Sequence, residues 1–184
     1  MAYIILGGIW ILIVFWWLIP VIRKHIVHEA YMACGLGILF SLIVLGSLVW
    51  KSGVFSVLTY IGWAFYIPAT ILVISSFIYL IRSGKPESGW EHSTMLIERG
   101  IFRIVRHPLY LGSALFSVGL ILIIQSIPSA LLGIVAIICF GVASKKEDIF
   151  NIRKFGDRYK IFIDKVPMWN ILKGLWQLRG SDAG

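Results

Sequence analysis

An all-α, polytopic membrane fold with five transmembrane helices, a short C-terminal helical hairpin and a cytosolic amphipathic helix is predicted by three observations. Apolar residues make up 59% of the 184, charged residues only 14%, and the mean hydropathy is +0.88. A soluble domain of this length has no use for so much apolar surface. The apolar residues also fall into repeated runs near the roughly 20 that cross a bilayer as a helix. Finally, threading five spans puts every Lys and Arg except Lys51 on one face. Cytoplasmic loops collect such charges, so the N-terminus is expected outside and the C-terminus in the cytoplasm.

The chain reads as one membrane domain over residues 1–184, with three spans in 1–81, a cytosolic loop in 82–108, a helical hairpin in 109–144 and cytosolic or interfacial helices in 145–184. The first span runs from Ala2 to Ile22 and carries Trp10, Trp16, Trp17 and Pro20. It lacks the basic leader and small-residue cleavage site of a signal peptide, so a retained helix is expected. A basic loop with Arg23, Lys24, His25 and His28 follows. The second span, Ala30 to Trp50, carries Gly35, Gly37 and Gly46, small residues that let membrane helices approach closely. Lys51-Ser52-Gly53 makes a turn into the third span, Val54 to Ile81, which is long enough to tilt and has Pro68 as a potential kink.

Arg82 to Arg106 is polar, and Gly84, Pro86 and Gly89 argue against one continuous helix there. Two shorter apolar arms, Leu109 to Gln125 and Pro128 to Ala143, are joined by little more than Ser126 and Ile127, enough for a helical hairpin. From Lys145 the pattern changes. Ile149, Ile152, Phe155, Tyr159, Phe162, Ile163 and Val166 recur at spacings of three and four, opposite Lys154, Asp157, Arg158 and Lys160. That is an amphipathic helix continuing the fifth span and ending at Pro167. Met168, Trp169, Leu172, Leu175 and Trp176 then suit a short interfacial segment.

The net charge of +8 and pI near 9.7 need no nucleic-acid partner, because basic cytoplasmic loops account for them. Cys34 and Cys139 sit inside apolar runs and read as packing residues. His25, His28 and His92 read as interfacial or loop residues, and no spacing predicts a metal site. Phosphate-binding glycine loops, a nucleophile elbow, a zinc-protease helix and a Rossmann fingerprint are all absent from the sequence. Any nucleotide-like cofactor is therefore expected in a membrane-embedded site.

The expected topology brings the 82–106 loop and the helix start at Lys145–Tyr159 to one face, flanking the feet of the hairpin. Glu98, Arg103, Arg106, His107, Tyr110, Glu147 and Asp148 meet there. His107-Pro108 opens a span, where proline loses no hydrogen bond and the following N–H groups favour an anion. A histidine such as His107 can donate or accept near neutral pH. Arg106 reads as a phosphate anchor and as a candidate catalytic residue, with Glu147 as the other. Glu147 and Asp148 gain nothing from anionic lipid. Adjacent carboxylates suit an ammonium or sulfonium group, or else a salt bridge with Lys145, Lys146 or the arginine-rich neighbours.

These residues resemble two sequence blocks of the isoprenylcysteine carboxyl methyltransferase family and its phospholipid methyltransferase relatives. The first block is Leu96-Ile97, Gly100-Ile101-Phe102 and Arg106-His107-Pro108-Leu109-Tyr110-Leu111-Gly112; the second is Glu147-Asp148, Phe155-Gly156, Tyr159 and Val166-Pro167. The resemblance covers Glu87 to Pro167 and implies an S-adenosyl-L-methionine-dependent methyltransferase acting on a lipophilic acceptor among membrane lipids. It implies that Thr94, Met95, Leu96, Ile97 and Phe102 line the adenosine side, and that His107, Pro108, Leu109 and Tyr110 contact the cofactor. It sets Glu147 and Asp148 at the ammonium end. Thr94 stands where many members have His, and Phe102 and Phe162 where Tyr is common. Ala143-Ser144 stands where carboxyl-methylating members often have Arg. The acceptor is thus left open among an isoprenylcysteine carboxylate, a phospholipid amine and a thiol. Rival readings are a membrane reductase of the sterol reductase type using NADPH, and a non-enzymatic scaffold.

Overall fold

A computed structural model describes residues 2–12, 19, 26–50, 54–83 and 95–181. Among them are seven α-helices, one 3-10 turn and no strand. The helices are α1 (Ala2–Leu12), α2 (Val27–Leu48), α3 (Ser56–Ser83), α4 (Pro108–Ile124), α5 (Ile127–Phe155), α6 (Asp157–Lys165) and α7 (Ile171–Ser181), with the turn at Gly100–Arg103 before α4. Three of them, α2, α3 and α5, are long and apolar enough to cross a membrane; α4 is apolar but has only 17 residues. The expected first span continues through residues 13–18 and 20–22, which lie outside the described residues, as do Arg23, Lys24 and His25 of the basic loop, the turn at Lys51 and residues 84–94 of the polar loop.

α4 is the central element, buried along most of its length. Small residues let it reach α3: a Cβ on Gly62 would lie 2.8 Å from the Gly119 carbonyl oxygen, and one on Gly112 would lie 2.9 Å from that of Ala69. On its other side Leu120 and Ile124 pack with Leu39 and Leu42 of α2, while Tyr110 and Ala114 join Met32, Ala136 and Phe140. Outward, α3 turns Tyr60, Ile67, Ile71 and Ile74 away from the protein, an apolar face suited to lipid tails.

The hairpin turn agrees with its local chemistry. Gln125 takes the left-handed conformation (φ 55°) that closes α4, and Ser126 caps α5 in a reciprocal box with Ser129. The Gln125 side chain also clasps the start of α3: its Nε2 donates to Phe55 O (2.9 Å), and Phe55 N–H donates to its Oε1 (2.8 Å).

Several boundaries differ from the sequence reading. α2 begins at Val27 rather than Ala30, so His28 and Glu29 are helical and buried. α3 passes through Pro68 without interruption. The second hairpin arm continues unbroken to Phe155, a helix of about 43 Å at 1.5 Å per residue. The amphipathic stretch does not run on as one helix. Gly156 adopts φ 63°, ψ −139°, a backbone region essentially reserved for glycine, and divides α5 from α6. As a result Tyr159, Phe162 and Val166 fold back on Leu96, whereas Ile149 is left exposed.

Candidate functional site

At the foot of the hairpin the chain buries a carboxylate and surrounds it with donors. Asp148, on α5, accepts from Arg106 Nε at 3.1 and 3.2 Å and from Arg106 Nη2 at 3.0 Å. His107 Nε2 lies 2.7 Å from Oδ1, and the Tyr159 hydroxyl donates to the same oxygen at 2.8 Å. A carboxylate can only accept, so the Nε2 carries the histidine proton. Burial, and next the Asp148 charge, push the Tyr159 phenol far above the usual tyrosine range, which keeps it a donor.

Arg106 extends this hub to the end of α6. Its Nη1 donates to Val166 O at 2.6 Å, and its backbone N–H donates to Pro167 O at 3.1 Å. One guanidinium therefore fixes the loop, α5 and the exit from α6 together. His107 precedes Pro108, the first residue of α4, and its carbonyl accepts the first helical bond from Leu111. The ring is thereby held at a helix start whose leading N–H groups have no partner inside the helix.

Above this hub is a cavity of about 560 Å³. Met95, Leu96, Ile97 and Phe102 line one side; Arg106, His107, Pro108, Leu109, Tyr110 and Glu147 line another. Of the remaining expected site residues, Thr94 lies outside the described residues. Asp148 is absent from the cavity lining, with its carboxylate directed into the hub. Glu147 faces the cavity: it is 29% exposed, Asn151 Nδ2 donates to it at 3.4 Å, and His107 Nδ1 stands 3.7 Å away. Glu98 and Arg103 sit apart, at a second depression, where Glu98 pairs with Arg158.

The cavity has a wall that motif reading did not supply. His28 and Glu29 of α2 line it, each 7% exposed, and Met32, Phe40 and Leu12 of α1 extend the wall. The His28 ring, expected at an interface, is instead buried with its centroid 5.0 Å from Phe150. One signal was available: Glu29 is an acid at the head of an apolar run, and ionisable residues in such runs mark functional sites.

A family model for phospholipid methyltransferase matches residues 57–158, which include all but the first residue of α3, all of α4 and α5, and Arg106, His107 and Asp148 of the hub. The chain belongs to the phospholipid methyltransferase family. This family is part of the integral membrane methyltransferases that include the isoprenylcysteine carboxyl methyltransferases, and it acts on lipophilic substrates. No curated protein and no solved structure matches the chain. Within the family's matched segment lie Met95, Leu96, Ile97, Phe102, Arg106 to Tyr110, Glu147 and Asp148; His28 and Glu29 lie outside it. Among the described residues no group of three His, Cys, Asp or Glu is placed to hold a metal.

Proposed function

We propose that the protein is an S-adenosyl-L-methionine-dependent methyltransferase of a lipophilic acceptor, oriented with its N-terminus outside and its C-terminus in the cytoplasm. The observation that carries this reading is the cavity itself. It is bounded by both sequence blocks, has the size of a small-ligand site, and combines apolar walls with two carboxylates outside the Asp148 hub, Glu29 and Glu147. That chemistry fits the cofactor. Met95, Leu96, Ile97, Phe102 and Leu109 would enclose the adenosine, and Glu147 would hold the ammonium group. The leading N–H groups of α4, at Leu109 and Tyr110, would donate to the carboxylate.

When bound, the cofactor would supply an electrophilic methyl group on a sulfonium, open to in-line attack by a lone pair of the acceptor, with the neutral thioether as the leaving group. The protein's task is alignment and exclusion of water. His107 and Pro108 set the floor of the cavity, and Tyr110 and Tyr159 add phenol groups to its walls. Arg106 and Asp148 act as positioning residues: the guanidinium serves Asp148 and Val166, and Asp148 holds the His107 ring. A carboxylate acceptor needs no base, whereas an ammonium must first lose a proton.

Titration calorimetry of the detergent-solubilised protein tests this reading. Binding of S-adenosyl-L-methionine or its demethylated product is the expected result. Binding of NADPH alone would point to the reductase class, and binding of neither to a scaffold.

A further inference from the structure

We infer that the outer face of α7 is a docking surface for anionic lipid head groups of the protein's own membrane, and that lipid seated there steadies the segment carrying Arg106 and His107. The inference stands apart from the methyltransferase reading. α7 lies beyond the residues that the family model matches, and none of its residues lines the cavity.

Phase and composition argue for the partner. A helix turns about 100° per residue, so Leu172, Trp176 and Arg179 share one side of α7, with Leu175 and Lys173 at its edges. Leu172 and Trp176 are 81% and 74% exposed, and Leu175 is 43% exposed. Both basic side chains are exposed as well, and α7 carries no acid. Glu98 and Asp164 line the second depression, which α7 meets from its opposite side through Gln177 and Leu178. An apolar strip edged by cations suits the boundary between head groups and acyl chains. Tryptophan concentrates there, and each basic residue gains from anionic lipid.

Packing sets α7 at that level. Ile171 packs on the cluster of Leu72, Val105 and Leu111, and Leu111 lies in the first turn of α4. Leu72 is flanked in α3 by Ile71 and Ile74, two residues of the outward face suited to lipid tails. α7 therefore begins at one end of the apolar bundle, beside its lipid-facing surface.

The same helix braces the site segment. A Cβ on Gly174 would overlap the Ile104 carbonyl, so α7 lies directly on the backbone two residues before Arg106. The chain leading into α7 takes a second hold through Val166 O and Pro167 O, both of which accept from Arg106. Trp169, expected at the interface, instead turns inward onto the clusters around Phe140 and Val105. Asn170 Oδ1 then caps α7 by accepting from Lys173 N–H at 2.9 Å. A lipid grip on the outer face is thus passed to Ile104–Arg106 through short, packed connections.

The test reconstitutes the full chain, without cofactor, in nanodiscs of phosphatidylcholine alone or with added phosphatidylglycerol. A nitroxide is attached at Leu172→Cys in a Cys34→Ala, Cys139→Ala background. With phosphatidylglycerol present, oxygen should relax the nitroxide more than a neutral, water-soluble nickel chelate does, and Lys173→Gln with Arg179→Gln should restore access to the chelate. In the wild-type chain, amide hydrogen exchange over residues 101–106 should slow about fivefold on adding phosphatidylglycerol, the weight of one basic side chain at an anionic surface. The paired glutamine variant should lose that slowing. Chelate access as free as at Lys160→Cys on the exposed side of α6 overturns the inference. So does shielding from both oxygen and chelate, which would mean that a second copy of the chain covers the face. Equal exchange of the wild-type chain in the two membranes overturns it whether or not any variant folds.

Discussion

Two arginine–carboxylate pairs tie the segment around Arg99–His107 to the α5–α6 arm, and both close at 3.0 Å: Arg106 with Asp148, and Arg158 with Glu98. Their surroundings differ. The first pair has side chains 12% and 13% exposed, the second 65% and 42%. Asp148 collects donors from Arg106, His107 and Tyr159, while Glu98 receives one from Arg158. Equal distance therefore carries unequal weight. In water the attraction between two charges is heavily screened, and near a buried carboxylate it is not. The inner pair organises the site, and the outer one trims the surface.

Asp148→Asn should break this contrast most severely. The amide keeps an acceptor but adds a donor facing Arg106 and Tyr159, and it leaves a buried guanidinium without its countercharge. Removing one member of a buried pair costs about 3–5 kcal/mol. A thermal melt in detergent should show that loss, and calorimetry should show cofactor affinity falling with it as His107 is released. An unchanged melting temperature would put Asp148 in the same class as Glu98.

Glu147→Gln comes next and should separate binding from stability. Its carboxylate faces the cavity, so unfolding should shift by less than about 0.5 kcal/mol. S-adenosyl-L-methionine affinity should fall by about 10- to 100-fold, the range for losing one charged hydrogen bond. A stability loss comparable to that of Asp148→Asn would show that the two acids share one role.

The division between these neighbours marks how far the sequence could be read. Local chemistry was legible: His107-Pro108 as a helix start, Ser126 as a cap, and the two motif blocks on either side of a hairpin. Which of Glu147 and Asp148 faces the cavity was not, because successive residues on a helix point roughly 100° apart and the sequence does not supply the phase. Gly156 sits in a stretch whose spacing continues through it, and its backbone angles appear only in three dimensions. The α2 wall was least legible. Glu29 joins Tyr110 in the cavity lining through tertiary packing, and no spacing relates residues so far apart in the chain.

Tyr159→Phe probes the hub more gently. It removes one of the donors to Asp148 while keeping the ring that packs with Phe162 and Phe155. Arg106 and His107 remain on the carboxylate, so no charge is stranded, and a loss of about 1 kcal/mol is expected in denaturant or thermal unfolding. A loss as large as that of Asp148→Asn would mean that the phenol, rather than the arginine, carries the hub.

Glu98→Gln should give the smallest effect. Both partners reach into water, and holding two long side chains in one geometry costs entropy that offsets much of the attraction. Exposed pairs of this kind contribute about 0–1 kcal/mol. The variant should melt within about 0.5 kcal/mol of the parent, and raising the salt concentration should narrow even that difference. Asp148→Asn should keep nearly its full deficit in the same salt series, because its partners are buried against Val166 and the start of α4. If the two variants responded alike to salt, burial would not be what separates these pairs, and the hub's hold on His107 would need another source.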